Sequence, residues 1–151
     1  MTTKNLVFAS DHAGAPLKEK LKEHVQGRGF VFLDVGVHGC ESCDYPIYAK
    51  ALAREVLAGK GLGVLICGTG LGMSMTANRF PGIRAALCLN EYMARMARQH
   101  NDSNVLCLGD RVVGVDLAVS ILDVFLGTPF EGGRHARRVA LIEPDQTVPT
   151  L

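Results

Sequence analysis

The stretch LGVLICGTGLGMS, from Leu62 to Ser74, decides the fold. Its first half is a short apolar run bounded by glycines, which is typical of a strand buried on both faces. Three glycines in the five residues from Gly68 to Gly72 then break the run and lead into a helix that we expect to reach about Asn78. Such a turn presents backbone N–H groups beside a helix N-terminus, which favours an anion there.

The size of the chain predicts a single domain. Of the 151 residues, 48% are hydrophobic, enough for one sizeable core, and we expect a domain over residues 1–143 followed by a tail over residues 144–151. The formal net charge of +1 favours neither nucleic acid nor a membrane surface as a partner. No apolar run approaches the length of about 20 residues that a membrane span needs.

Cysteine use and the N-terminal residues predict a cytoplasmic protein. The chain has five cysteines, an odd number, and three of them lie in apolar runs, which indicates reduced thiols rather than a disulfide framework. The N-terminal residues contain no apolar stretch long enough for a signal peptide.

Strand-like and helix-like segments alternate along the whole chain. The predicted strands are short and apolar and lack period-two alternation, which favours an α/β domain with a parallel sheet covered on both sides. They fall at residues 6–9, 30–35, 64–67, 83–89 and 105–108, and the main helices at 16–25, 47–57, 92–98 and 117–125. Residues 132–138 are a further candidate helix.

Ligands of such sheets bind beyond the carboxyl ends of the strands. We therefore expect Asp11 with His12, the turn from Cys67 to Gly72, and His100 with Asn101 to lie at one rim. The sequence leaves open whether these groups meet within one subunit.

The glycine turn is open to two other interpretations. Its G-x-G-x-G spacing falls one residue short of the dinucleotide fingerprint, because Met73 stands where the last glycine would be, although Glu91 supplies an acid about twenty residues on. The glycines can also serve only as a tight turn from strand to helix. No Gly-Lys-Ser/Thr follows the turn, which excludes a P-loop.

Cys67 stands apart from the other cysteines because of its neighbours. Converging N–H groups and a helix N-terminus favour a thiolate, which can act as a nucleophile or a general base. Cys88 and Cys107 lie in apolar runs of their own and are expected to be inert core thiols.

Two further patterns are weaker. Cys40-x-x-Cys43 with His38 is half of a zinc site, and no second pair completes it, so no metal is expected. Arg134 and Arg138 are four residues apart, so on a helix they would share a face and could grip a phosphate. A solvated basic face is the alternative interpretation of the arginines.

Taken in order, five motifs resemble the ribose-5-phosphate isomerase B family, to which the galactose-6-phosphate isomerase subunits also belong. They are SDHAG at 10–14, DYP at 44–46, ICGTGLG at 66–72, RQHND at 98–102, and EGGRH at 131–135 with Arg138. The resemblance spans roughly residues 5–140, nearly the whole chain.

The resemblance implies a doubly wound, Rossmann-like sheet of five parallel strands in a single domain. It also implies a homodimer, or a dimer of dimers, with active sites shared between subunits, and no metal or organic cofactor. The implied reaction interconverts an aldose phosphate and a ketose phosphate, with ribose 5-phosphate and ribulose 5-phosphate as the first choice. Tetrose, allose or galactose phosphates stay open as substrates, and so does a nucleotide-binding regulatory module on the same sheet.

The resemblance also assigns roles. Cys67 would move a proton between C1 and C2 through an enediolate, and His100 would open the furanose ring, with Asp11 and Thr69 near the ring oxygen and hydroxyls. One branch of the family uses a glutamate just after the glycine turn, but Met73 stands there, which leaves Cys67 as the base. The residues expected to bind the sugar and its phosphate are His12, Tyr45, Gly68, Gly70, Leu71, Gly72, Asn101, Arg111, Arg134 and Arg138.

Overall fold

The computed structural model describes residues 4–145, so the predicted tail at 144–151 falls almost wholly outside the described residues. The strands are β1 Lys4–Ser10, β2 Phe30–Asp34, β3 Leu62–Cys67, β4 Ala85–Leu87 and β5 Val105–Gly109. The helices are α1 Ala15–Val25, α2 Tyr45–Leu57, α3 Leu71–Ala77, α4 Glu91–Gln99, α5 Val115–Gly127 and α6 Arg134–Ala140. None of the helices within this described range is both long and apolar enough to cross a bilayer.

All strand pairs in the sheet are parallel, in the order β2-β1-β3-β5-β4. Strands β1 and β2 extend the sheet to one side and β3, β5 and β4 to the other, with the direction reversing between β1 and β3, which confirms the doubly wound fold. Strand β4 is shorter than the predicted residues 83–89. It is an edge strand whose pairing covers only Ala85 to Leu87, because the N–H of Ile83 is used in the preceding turn with the carbonyl of Phe80.

Alternate residues of the central strands supply two separate apolar layers. Phe8, Ile66 and Leu106 pack with α1, α4 and α5 on one face of the sheet. Val7, Leu65 and Cys107 pack with α2 and α3 on the other. Because both faces are covered, residues 6–9 of β1 and 64–67 of β3 are apolar at every position, which is why these strands show no period-two alternation there.

A buried ion cluster fixes α1 to the end of β2. Lys18 is 0% exposed, and its Nζ donates to Oδ1 of Asp34 at 2.9 Å and to the carbonyl of Val37 at 2.7 Å. Lys22 donates to the other carboxylate oxygen at 2.7 Å. Burial alone would raise the pKa of Asp34, but the hydrogen bonds from Lys22 and Lys18 outweigh it and hold the pKa below its usual range.

Replacing Asp34 by Asn should lower the free energy of unfolding at pH 7 by about 3 kcal/mol, because it leaves the buried ammonium of Lys18 without its counter-charge. The folded-state pKa of Asp34 lies below the unfolded value. The stabilisation that ionised Asp34 gives to the folded state is therefore fully present above the pKa of Asp34 in the unfolded chain. It is lost as the pH falls through the pKa of Asp34 in the folded protein. Urea unfolding should show the difference between wild type and Asp34→Asn shrinking from about pH 5 downward.

Asp123→Asn is the matched control, since Asp123 pairs with Arg28 and His24 at the exposed surface. We expect it to change the free energy of unfolding by less than about 1 kcal/mol. A difference for Asp34→Asn that is the same at pH 7 and at pH 3 would contradict the prediction.

Candidate active site

The carboxyl ends of three neighbouring strands bring one group of candidate residues together. The register pairs Ser10 of β1 with Ile66 of β3, and Cys67 of β3 with Gly109 of β5. The segments that follow these strands begin side by side. We call their candidate residues the carboxyl-edge group: Asp11, His12, Tyr45, the turn from Cys67 to Gly72, and Arg111.

The glycine turn wraps around the sulfur of Cys67. The side chain is only 5% exposed, and its Sγ accepts a hydrogen bond from the N–H of Gly70 at 3.1 Å. Gly70 has a φ of 79°, and a Cβ there would lie 3.0 Å from the carbonyl carbon of Leu108, so the turn requires glycine at this position. A backbone N–H aimed at a sulfur stabilises negative charge on it.

The two outer glycines of the turn let larger side chains approach. A Cβ on Gly72 would lie 2.5 Å from the ring of Tyr45, which begins α2. A Cβ on Gly68 would lie 3.3 Å from Nη1 of Arg111. The backbone of the turn is thus flanked by a phenol on one side and a guanidinium on the other.

Thr69 and Leu71 lie at the surface of the same turn. Both are exposed, and Oγ1 of Thr69 accepts the N–H of Leu71 at 3.3 Å. Together with the bond to the sulfur, this bond fixes the backbone conformation of the turn.

Asp11 and His12 are held in place by backbone N–H groups. Oδ1 of the buried Asp11 accepts the N–H of Gly14 at 3.0 Å. Nδ1 of His12 accepts the N–H of Cys43 at 3.2 Å. A neutral His12 therefore carries its proton on Nε2, where it can be donated to a ligand.

The remaining candidates lie at the opposite edge of the sheet. Helix α4 runs back from the carboxyl end of β4, so His100 and Asn101, at its end, precede β5. The carbonyl of Asn101 accepts from Nε of Arg84, the residue before β4. The expectation that these two residues share a rim with Cys67 is thus wrong within one chain. The five residues of β5 separate the two edges by about 16 Å, at about 3.3 Å per residue.

Helix α6 joins His100 at this second edge. The N–H of Glu131 donates to the carbonyl of Gln99 at 3.0 Å, which places the EGGRH segment against the end of α4. The exposed Arg134 and Arg138 of α6 therefore belong with His100 and not with Cys67. His100, Asn101, Arg134 and Arg138 form the amino-edge group.

Two residues that sequence analysis quoted only as part of a motif contact His100. The rings of His100 and His135 are stacked, with centroids 4.1 Å apart and an interplanar angle of 8°. Oε2 of Glu131 lies 3.9 Å from Nε2 of His100. Burial, followed by the charges of His100 and Arg134, lowers the pKa of His135, which favours the neutral form of this ring.

Two clusters within residues 4–145 bring three potential metal ligands within 4.8 Å of one another. In the first, His100, Glu131 and His135, the parallel rings direct their nitrogen lone pairs side by side and not toward one point. In the second, Glu19, Asp34 and His38, the carboxylate of Asp34 is already engaged by two lysines. Neither arrangement is built for an ion.

Comparisons with known proteins agree on one family. The family model described as Ribose/Galactose Isomerase matches residues 6–142. The protein named ribose-5-phosphate isomerase B of Escherichia coli is 48% identical over 140 residues, covering 92% of this chain and 94% of its own length.

Solved structures show the same likeness. The ribose 5-phosphate isomerase of Thermotoga maritima is 52% identical with a TM-score of 0.89, covering 91% of this chain and 96% of its own. The ribose-5-phosphate isomerase B of Clostridium thermocellum is 51% identical with a TM-score of 0.89, covering 91% and 93%. At this identity and coverage the likeness extends to the whole described domain.

Proposed function

The chain belongs to the ribose/galactose isomerase family, and on that premise we propose that it interconverts ribose 5-phosphate and ribulose 5-phosphate at a site built from two copies of the chain. One observation carries the two-copy arrangement. The candidate base Cys67 and the candidate acid His100 lie at opposite edges of one sheet, so neither edge alone holds a complete set of catalytic groups.

The carboxyl-edge group supports the proton transfer. The thiolate of Cys67 takes the proton from C2 of the open-chain aldose, and the electron pair moves onto the carbonyl oxygen to give an enediolate. A proton then passes from the C2 hydroxyl to the C1 oxygen, and the same sulfur returns the carbon-bound proton to C1 as the C2 carbonyl forms. N–H groups of the glycine turn stabilise the developing oxyanion with little reorganisation, an effect worth several kcal/mol in comparable sites. Sugar hydroxyls fall within reach of Thr69 and Tyr45.

The amino-edge group of a second copy supports ring opening. His100 gives a proton to the ring oxygen as the C1–O bond breaks, and Asp11 of the first copy accepts the proton of the anomeric hydroxyl. Stacking on His135 and the carboxylate of Glu131 hold the His100 ring in one orientation. Asn101 contacts the sugar beside it.

Four cationic or donor groups would hold the phosphate. His12 and Arg111 come from the carboxyl-edge group, and Arg134 and Arg138 from the partner's amino-edge group. The phosphate is remote from the reacting carbons. Binding it can therefore hold the open chain in place against the favoured cyclic form.

Exposed apolar side chains near the carboxyl edge support pairing of two copies. Leu71 and Met75 lie one turn apart on α3, and Tyr92 lies in the first turn of α4. A homodimer, or a dimer of dimers, would cover them. All five cysteines are free, which supports our proposal that the enzyme works in the reducing cytoplasm.

A panel of four-, five- and six-carbon aldose phosphates tests the substrate. Ribose 5-phosphate should give the highest kcat/KM, because the separation between the phosphate groups and Cys67 must match the carbon chain. Product formation by the purified protein is the measurement. A higher kcat/KM for a tetrose, allose or galactose phosphate would overturn the choice of ribose while leaving the isomerase assignment in place.

Mixing two inactive variants tests the shared site. Cys67→Ala and His100→Ala alone should each lower kcat by about 10²- to 10⁴-fold, because each removes a general acid or base. After unfolding and refolding together, they should recover about a quarter of wild-type activity, since half of the dimers are hybrids with one intact site.

The same mixture should restore exchange of the C2 proton with solvent deuterium, followed by NMR. Mixing Cys67→Ala with a Cys67→Ala, His100→Ala double variant is the control and should restore nothing. Failure of the first mixture to recover activity would place both groups in one chain's site.

The phosphate assignment is tested by neighbouring arginines on α6. Arg138→Ala should raise KM for ribose 5-phosphate by about tenfold, because it removes a charge-assisted hydrogen bond to phosphate. Arg137→Ala removes the same charge from the next position of the same exposed helix and should change KM by less than about twofold. Equal effects of the two substitutions would indicate only a general loss of positive charge.

A further inference from the structure

Two thiols near His12 have no part in the proposed reaction: Cys43 contacts its ring, and Cys40 lines the same cleft. The Sγ of Cys43 lies 3.7 Å from Nδ1 of His12, the nitrogen that also accepts the N–H of Cys43. Cys40 and His12 both line a surface cleft of about 590 Å³. Burial and a hydrogen bond with Cys43 raise the pKa of Tyr48.

These two thiols are also the accessible ones. Cys40 is exposed and Cys43 is half-buried, whereas Cys67, Cys88 and Cys107 are buried. Burial raises the pKa of Cys88 to about 11 and that of Cys107 still higher, so neither forms a thiolate at neutral pH. A mild oxidant in solution therefore meets the Cys40–Cys43 pair first.

We propose that Cys40 and Cys43 form a reversible disulfide that weakens phosphate binding through His12; the part concerning phosphate rests on the proposed function. The oxidant is a low-molecular-weight disulfide of the glutathione class. The Cys40 thiolate attacks it and releases one thiol, and Cys43 then displaces the second thiol as its own proton passes to Nδ1 of His12. Two protein thiols lose two hydrogens, and the oxidant is reduced to two thiols.

Forming the bond requires Cys43 to leave its present position beside His12. A disulfide needs Cα atoms about 4.4–6.8 Å apart and sulfur atoms about 2.05 Å apart. Only two residues separate the cysteines, and they lie in an irregular segment outside helix and strand. Drawing the Cys43 sulfur toward Cys40 takes it from His12 and moves the N–H that fixes the ring's tautomer. His12 then no longer presents a fixed Nε2–H to phosphate.

The test measures disulfide formation and isomerase kinetics on the same full-length sample. The reduced protein is equilibrated with glutathione and glutathione disulfide at increasing ratios, and intact mass and peptide mapping are read beside steady-state rates. We expect a loss of two hydrogens confined to the peptide that holds both cysteines. KM for ribose 5-phosphate should rise about tenfold, the loss of one charge-assisted hydrogen bond, with kcat changed less than twofold. Dithiothreitol should reverse both changes.

Cys40→Ser is the matched control, because it removes an exposed sulfur and leaves Cys43 beside His12. Its KM should not respond to oxidation, and Cys43→Ser should behave alike. An equal rise of KM in oxidised Cys40→Ser would assign the effect to another thiol and overturn the proposal. Glutathione adducts without the internal disulfide, or a disulfide that leaves KM unchanged, would also overturn it.

The mass readout does not depend on activity. If the protein forms the disulfide but isomerises no sugar phosphate, the proposed function fails while the thiol pair stands. The affinity of the reduced and oxidised forms for inorganic phosphate, measured by calorimetry, then reports the effect on His12. Equal affinities of the two forms for inorganic phosphate would overturn the proposed effect of the disulfide on His12.

Discussion

Parallel pairing of β3 with β1 and β5 is the constraint on which the rest of the molecule depends. It brings three carboxyl ends to one line, so that the glycine turn, Asp11 and Arg111 begin beside one another. Parallel strands also require a return path for every connection. The helices that supply those paths carry their last residues, including His100, to the other edge of the sheet. The same topology therefore brings one group of candidate side chains together and places the other at the opposite edge of the sheet.

The glycine turn determines which groups surround the sulfur of Cys67. Gly70 alone allows the left-handed conformation that turns its N–H toward the sulfur of Cys67. Gly68 and Gly72 contribute by having no side chains, since a Cβ on either would meet Arg111 or Tyr45. Glycine is thus required at Gly70 because of its backbone conformation, and it is favoured at Gly68 and Gly72 because neighbouring side chains lie close to where a Cβ would be.

Much of the fold was predictable from sequence, because apolar runs without alternation identify strands buried on both faces. The five strands and their helices follow from that pattern, although β4 is shorter than its apolar run, since the N–H of Ile83 is used in the turn before the strand. The motifs identified the family. The sequence could not show that His100 lies at the amino edge, because that depends on the direction in which α4 returns.

The contacts of Cys43 with His12, and of His135 with His100, were equally beyond prediction. Each joins residues of loops or helix ends whose distance is set by tertiary packing, and neither has a repeating sequence pattern. The CxxC motif marked Cys43 in the sequence only as part of an incomplete zinc site, and it did not predict the contact with His12.

If the candidate groups at both edges are functional as proposed, each chain carries two incomplete halves of a site, and two chains related by a two-fold axis would complete both pockets at once. On the proposed arrangement, an isolated chain is folded yet inert. Turnover per molecule would then fall on dilution, as dissociation separates the halves. Cellular abundance would set not only how many enzymes exist but what fraction of them can work.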